Sequence, residues 1–133
     1  MAKMAFEIPK ELEEQLRKAE NIHAIALKMV DAGAEVYIKA IKNRLEPHRD
    51  TGDLIKSTSV ISRQATGSGA QAVIGFAGVD GKGVANDIKA NALETRPKLK
   101  GGDPFITKAK NDAQEEATAK MQEVLNDEIG GGE

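Results

Sequence analysis

Residues 48–57, HRDTGDLIKS, separate a long helical pattern from a strand-like one. Pro47 stands directly before them and lacks the amide hydrogen that a helix interior requires, so we expect the preceding helix to end there. Thr51 or Asp50 can accept a backbone N–H and cap one new helical turn, and Gly52 supplies the conformational freedom that a chain reversal needs. The stretch is therefore predicted to be a corner that folds a sheet back onto a helix.

The segment before this corner, residues 9–45, carries apolar side chains at three- and four-residue steps, which predicts an amphipathic helix. Pro9 suits the first turn, and acidic residues near the start and basic residues near the end complement the helix dipole. A continuous helix of this length would extend about 55 Å at 1.5 Å per residue, which is long for a small domain. A break near AENIHA, residues 19–24, is therefore an open alternative.

The segment after the corner predicts an antiparallel hairpin. Residues 57–64 are rich in β-branched and hydroxyl side chains, residues 71–79 form an apolar run with interleaved glycines, and ATGSGA at 65–70 is a turn. The glycines indicate burial on both faces or a close backbone approach. We expect Leu54 to point inward as an anchor and Ser57 to begin the first strand.

The C-terminal part predicts a second long helix. Residues 84–94 favour a short helix, with a strand as the alternative, and residues 95–103 form a basic loop without periodicity. Asp103 is predicted to cap the following helix and Pro104 to fill its first position. An apolar stripe then continues to about residue 129. Phe105 is predicted to anchor this helix in the core.

Composition limits the class of protein. The 133 residues predict a single α+β domain over residues 1–129, with long N- and C-terminal helices packed on a small antiparallel sheet, and a flexible tail at 130–133. A net charge of −2 and 3% aromatic residues argue against a surface that binds nucleic acid specifically. The chain has no cysteine, which excludes disulfides and thiolate metal sites. No segment is apolar enough to cross a bilayer, so we expect a soluble protein made in the cytosol.

Catalysis is not predicted. His23 lies beside the apolar stripe of the first helix, without an acid at ligand spacing on its face. His48 is close to Asp50 and Asp53, but such a pair supplies too few ligands for a metal ion, and a metal-dependent enzyme that uses His48 is a distant alternative. Signatures of serine hydrolases, zinc proteases, nucleotide-binding P-loops and calcium loops are absent from the sequence. We therefore predict no catalytic, cofactor or metal site.

Two signatures resemble one known family. DTGDLIKSTSV resembles the Thr-Gly-x-Leu-x-x-Ser corner, with its following strand, of the head–tail joining or tail-completion (neck) proteins of long-tailed phages. NALETRPKLKGGDPFITKA resembles the family's downstream pattern of Ala-x-x-x-Glu, a loop, and Pro-Phe-hydrophobic before a helical alanine. Many relatives have a glycine directly after the glutamate, where this chain has Thr95. The matching positions are Thr51, Gly52, Leu54, Ser57, Glu94, Pro104, Phe105, Ile106 and Ala109.

The resemblance implies a structural virion protein with a tail-terminator-like fold. Such a protein forms a ring, often a hexamer, at the head–tail junction, although the free subunit can be a monomer in solution. Its partners would be the head connector or stopper and the tail tube or tail terminator, with DNA passing through the ring. It would reside in the host cytoplasm during assembly. Loops 65–70 and 95–102 would contact neighbouring subunits or the lumen, or else be exposed connections.

Two other hypotheses stay open. The chain could be a tail terminator or a minor capsid component of the same particle, since these proteins can share the fold. It could also be a helical adaptor unrelated to phages that dimerises through the apolar stripe of its N-terminal helix.

Overall fold

A computed structural model describes residues 2–49 and 52–130. The strands are β1 (Met4–Glu7), β2 (Thr58–Ala65) and β3 (Ala70–Phe76), and the α-helices are α1 (Lys10–Leu16), α2 (Ile22–Leu45), α3 (Asp53–Ser57), α4 (Asn86–Thr95) and α5 (Phe105–Leu125). Short 3-10 turns occupy Glu46–His48 and Lys98–Lys100, and a π turn at Asn126–Gly130 follows α5. The predicted α+β fold is confirmed: α2 packs on a three-stranded antiparallel sheet and along α5, whose Phe105 contacts Phe76 of β3. Residues 131–133 of the predicted tail lie outside the described residues.

The predicted N-terminal helix is broken. α1 ends at Leu16 and α2 begins at Ile22, so the break at residues 17–21 lies near AENIHA and overlaps its first half. It allows α1 to turn toward α5, where the side-chain amides of Gln15 and Gln122 pair. The Gln122 Nε2 group donates to Gln15 Oε1 over 2.9 Å. α2 meanwhile runs along α5 with its own apolar face.

Strand β1 was not predicted from the sequence. It pairs antiparallel with β3, so the strand order is β1-β3-β2 and β3 is central. Met4 and Phe6 are buried, whereas Ala5 and Glu7 are exposed. This two-residue alternation is the signal that a strand gives in a sequence, but four residues next to Pro9 are too short for it to stand out. The central place of β3 explains why its alternate residues are fully buried.

The predicted hairpin is confirmed, with a bulge. β2 pairs with β3 from Thr58 opposite Phe76 to Ala65 opposite Ala70, and the register shifts between Val60 and Ser62. Ile61, the extra residue, packs onto Gly75, where an added Cβ would lie 2.7 Å from the Ile61 Cδ1 atom. The glycine therefore allows the bulge.

The hairpin differs from its predicted bounds at both ends. β2 begins at Thr58 and not at Ser57, because Ser57 closes α3 and donates its hydroxyl to the Leu54 carbonyl oxygen over 2.7 Å. β3 ends at Phe76 because Gly78 takes a φ of +74°, which turns the chain toward α4. The predicted short helix over 84–94 is confirmed as α4.

The core lies between the two long helices and the sheet. The middle of α5 contributes three buried alanines, Ala109, Ala113 and Ala117, which let α2 approach closely. Arg44 on α2 adds a bidentate pair with Asp112 on α5, at 2.6 and 2.8 Å. The buried residues of α2 are Ile25, Ala26, Met29, Val30, Gly33, Ala34, Tyr37, Ile41 and Leu45. No helix within the described ranges is long and apolar enough to span a bilayer.

Candidate interaction surface

The corner is built around one left-handed glycine. Gly52 has a φ of +85° and is buried, a backbone conformation that side chains other than glycine rarely adopt. It precedes α3, whose Leu54 is half-buried against the core. Thr51 and Asp50, the predicted caps, lie outside the described residues.

Glu94 caps α5 from a different helix. Its Oε1 accepts the Ile106 backbone N–H over 2.6 Å, and its Oε2 accepts the Thr107 hydroxyl over 2.8 Å. The first turn of a helix has unpaired N–H groups and a positive dipole end, so a carboxylate there stabilises it. The glutamate of the resemblance therefore fixes the start of α5 to the end of α4.

The prediction that Asp103 caps this helix was wrong. α5 begins at Phe105, Pro104 stands before its first residue, and neither Asp103 nor Pro104 caps it with a side chain. Asp103 instead accepts from Lys108 Nζ over 2.7 Å and faces His48 Nε2 over 2.8 Å. The cation of Lys108, and then His48, lower the pKa of the Asp103 carboxyl. The Ile106 N–H at the start of α5 is bonded to Glu94, and the Asp103 carboxylate instead links His48 to Lys108 of α5.

His48, which lies two residues before the first signature segment, thus forms a polar contact with Asp103 of the second. It lies just before the corner, and Asp103 lies just before Pro104 and Phe105. Across the part of the chain that the structure describes, no group of three or more His, Cys, Asp or Glu side chains could hold a metal ion. The geometry around His48 is that of a hydrogen-bonded joint between the end of α2 and the start of α5.

The loop between α4 and α5, residues 96–102 and here called the basic loop, is held in one shape. Its ends are tied by a hydrogen bond from the Asp103 N–H to the Leu93 carbonyl oxygen, 2.7 Å, and from the Gly102 N–H to the Pro97 carbonyl oxygen, 3.2 Å. Gly102 is buried against the backbone of Arg96, and a Cβ there would overlap the Arg96 carbonyl oxygen. The loop was predicted as an irregular segment, but it is a closed turn with a fixed base.

Leu99 stands at the outside of the basic loop. Its side chain is 101% exposed, between Lys98 and Lys100. With Arg96, the loop carries three positive charges and no acid. Single exposed leucines are ordinary, so it is the combination of Leu99 with the three cations of a hydrogen-bonded loop that makes this loop a candidate contact surface. In the sequence, the signal for this exposed position is that Leu99 belongs to no apolar repeat with the spacing of a helix or strand.

The hairpin tip differs from the basic loop. The Thr66 N–H donates to the Gly69 carbonyl oxygen over 2.8 Å, and the Ser68 hydroxyl donates to Glu13 Oε2 on α1 over 3.1 Å. Gly69 is buried and Ser68 is half-buried. Of the two loops predicted to contact neighbours, the hairpin tip is therefore tied to its own chain, and the basic loop is the one displayed to solvent.

A second exposed apolar region surrounds the turn after β3. Val79 and Ile88 are 63% and 64% exposed. Asp80 shapes the turn: its carboxylate pairs with Lys89 Nζ over 2.9 Å and accepts the backbone N–H groups of Val84 and Lys82. The hydrogen bond from Lys89, followed by the two amides, lowers the pKa of Asp80 to about 2.

The structure distributes the motif residues between core and joint. Phe105, Ile106 and Ala109 are buried, whereas Pro104 is exposed and Ser57 is half-buried.

Comparison with family models, curated proteins and solved structures found no match. Membership of the joining family stays a prediction that rests on the two signatures.

Proposed function

We propose that this chain is a structural subunit of a phage head–tail junction. In this proposal, copies form a ring between the head connector and the tail, and DNA passes through the ring. The subunit carries out no catalysis. Its contribution would be shape: a small helix-and-sheet unit whose loops meet neighbouring copies and the adjoining proteins.

One observation carries the proposal: the two signature segments, far apart in sequence, meet at the same end of the molecule. His48, beside the corner, bonds Asp103, beside the Pro-Phe start of α5. Glu94 joins the same place through the Ile106 amide. The second signature and the residue that lies two positions before the first one are therefore joined at one place, which supports the proposal.

The distribution of exposed apolar side chains supports a role in assembly. Among the described residues outside β2 and the turn after α5, the large exposed apolar side chains are Val79, Val84, Ile88 and Leu99. All four lie between the end of β3 and the end of the basic loop. This segment surrounds α4, next to the joint. A subunit that completes its burial against partners would place apolar side chains in such a way.

The experiment is a binding test with the particles whose genome carries this gene. Purified protein is mixed with filled, tailless heads and, separately, with isolated tails, and each mixture is sedimented. We expect the chain to sediment with one of them at a fixed number of copies per particle. Failure to bind either would contradict the proposal.

The order of binding separates the joining role from its nearest alternative. A joining protein should bind filled heads first, whereas a tail terminator should bind isolated tails first. Gene position gives an independent check, since a joining protein is expected between the connector genes and the major tail protein gene.

The adaptor hypothesis meets a structural obstacle. It needs the apolar stripe of the N-terminal helix to be free, but α2 buries nine residues against α5 and the sheet of its own chain. The favoured proposal needs no such rearrangement.

A further inference from the structure

The basic loop brings together three unpaired cations and one exposed apolar side chain. Within the part of the chain that the structure describes, the side chains of Arg96, Lys98 and Lys100 form no ion pair and no hydrogen bond. The acids that flank the loop are engaged elsewhere, because Glu94 caps α5 and Asp103 already faces two basic side chains. The positive charge of the loop is therefore available to a partner.

The backbone of the loop directs Leu99 away from the rest of the chain. Lys98–Lys100 is a 3-10 turn, in which three residues complete one turn, so their side chains point about 120° apart. Leu99 is the middle one and is fully exposed. Gly101, at a φ of +83°, and the close contact of Gly102 with Arg96 fix the base of this turn. Leu99 is thus presented at a tip, with one lysine on either side of it.

The convex shape of this tip separates the kinds of partner. Residues 96–102 line none of the five main clefts that the described residues form, so the loop offers no walls to a small molecule or a peptide. DNA phosphates would pair with the cations and leave Leu99 without an apolar contact. An acidic protein would have to supply a pocket that matches the leucine. The interface of a bilayer accepts a protruding leucine without such a pocket, and lysine stems extend along it to the headgroups.

The rest of the chain does not supply an attraction to anionic surfaces. Without the three cations of the loop, its formal charge is −2 − 3 = −5. At physiological ionic strength, charges are largely screened beyond about 8 Å. An anionic surface that meets the tip therefore interacts with the loop more than with the acids of the other elements. Such a surface would bind the molecule in one orientation, with the tip toward the surface.

We infer that the basic loop docks on an anionic phospholipid surface, with Leu99 inserted at the boundary between headgroups and acyl chains. Lys98 and Lys100 then face lipid phosphates. Each cation close to such a surface strengthens binding about fivefold. One leucine and three cations give weak, reversible attachment and not a permanent anchor. The inference goes beyond the proposed function and requires no ring.

The test is cosedimentation of the full chain with lipid vesicles at physiological salt. One set of vesicles contains equal parts of phosphatidylserine and phosphatidylcholine, and the other contains phosphatidylcholine alone. We expect binding to the first set only, and we expect it to weaken as salt is added. Absence of binding to the anionic vesicles, or equal binding to both sets, would overturn the inference.

Substitution of Leu99 tests the insertion. Leu99→Ser should weaken binding to the anionic vesicles about tenfold or more, because the apolar contact is lost, and leave the unfolding midpoint unchanged. Val79→Ser, at the other end of α4 and also exposed, should change neither quantity. Undiminished binding of Leu99→Ser would refute the insertion.

Paired substitutions test the cations at constant net charge. Lys98→Gln together with Lys100→Gln should weaken vesicle binding about 25-fold, because two of the three cations are lost. Lys10→Gln together with Lys39→Gln, exposed on α1 and α2, removes the same charge elsewhere and should have little effect. Equal losses in the two double variants would contradict a contact through the loop.

A DNA duplex in place of the vesicles tests the competing polyanion. Binding to DNA that depends on Lys98 and Lys100 but not on Leu99, without binding to anionic vesicles, would replace the lipid surface with nucleic acid and overturn the inference. Vesicle binding that needs both Leu99 and the two lysines would support it.

Discussion

Phe105 and Leu99 lie in one short segment and occupy the two extremes of exposure, 0% and 101%. Phe105 begins α5 and packs its ring edge-on against Phe76, with centroids 5.7 Å apart. Leu99 sits on the clamped loop just before it. Hydrophobicity alone does not distinguish the two positions, because the backbone decides which side chain faces the core.

Phe105→Ala should lower the free energy of unfolding by about 3–5 kcal/mol, because it removes a fully buried ring and leaves a cavity. Urea denaturation followed by circular dichroism measures this loss. Leu99→Ala is the matched control and should change stability by less than about 0.5 kcal/mol. Equal stability of Phe105→Ala and the unmodified chain would show that the ring is not in the core.

Glu94→Ala should cost about 0.5–2 kcal/mol, because the Ile106 amide at the start of α5 loses its acceptor. The same denaturation experiment measures it. Glu116→Ala, an exposed glutamate in the middle of the same helix, should have little effect. If Glu94→Ala and Glu116→Ala lower the free energy of unfolding by the same amount, the Glu94 cap does not contribute to stability.

At the scale of elements, the Asp80 carboxylate links the turn between β3 and α4 to helix α4. Asp80 pairs with Lys89 on α4 and accepts two backbone amides of its own turn. These bonds favour the charged form, which is why its pKa falls to about 2. An aspartate whose pKa is lower in the folded chain stabilises the fold above its unfolded pKa and loses that contribution as the pH falls.

Asp80 should therefore titrate near pH 2, and its stabilising effect should disappear between about pH 4 and pH 2. Carboxyl NMR shifts recorded against pH measure the midpoint. Lys89→Met should raise that midpoint toward the usual 3.8, because the largest cause of the shift is removed. Lys82→Met keeps its backbone amide and should leave the midpoint in place. A wild-type midpoint at 3.8 would contradict the described turn.

At the scale of the whole molecule, no single helix or strand buries its apolar residues without the other elements. α2 packs against α5 on one side and the sheet on the other, and α1 is tied to α5 by the Gln15–Gln122 pair. The alanines of α5 bury little area each, so their value lies in the close approach that they allow. The core is therefore a property of all three layers together.

A fragment of residues 1–47 should be monomeric and mostly unfolded, because the buried face of α2 loses both surfaces that cover it. Circular dichroism at increasing peptide concentration measures this. Restoration of helix on addition of the complementary residues 48–133 would support the described packing. Helix that grows with the concentration of the fragment alone would instead favour the adaptor hypothesis.

Sequence patterns were sufficient where a single element signals itself. The long helices, the hairpin with its glycine-rich turn and the stop at Pro47 follow from apolar periods and from residues with special backbone geometry. β1 was not predicted because four residues of alternating polarity are too few to give a clear two-residue repeat. The cap of α5 was assigned to Asp103 because a cap is normally local, whereas Glu94 reaches it from the preceding helix.

The sequence by itself determined most of the helices and strands, with β1 and the break between α1 and α2 as the exceptions, because periodicity and backbone preference are local properties. Tertiary structure alone decided that β3 is the central strand, that His48 meets Asp103, and that Leu99 is displayed between two lysines. Each of these depends on which distant segments approach one another. That outcome is set by how all the apolar faces can be buried at once, and no local pattern encodes it.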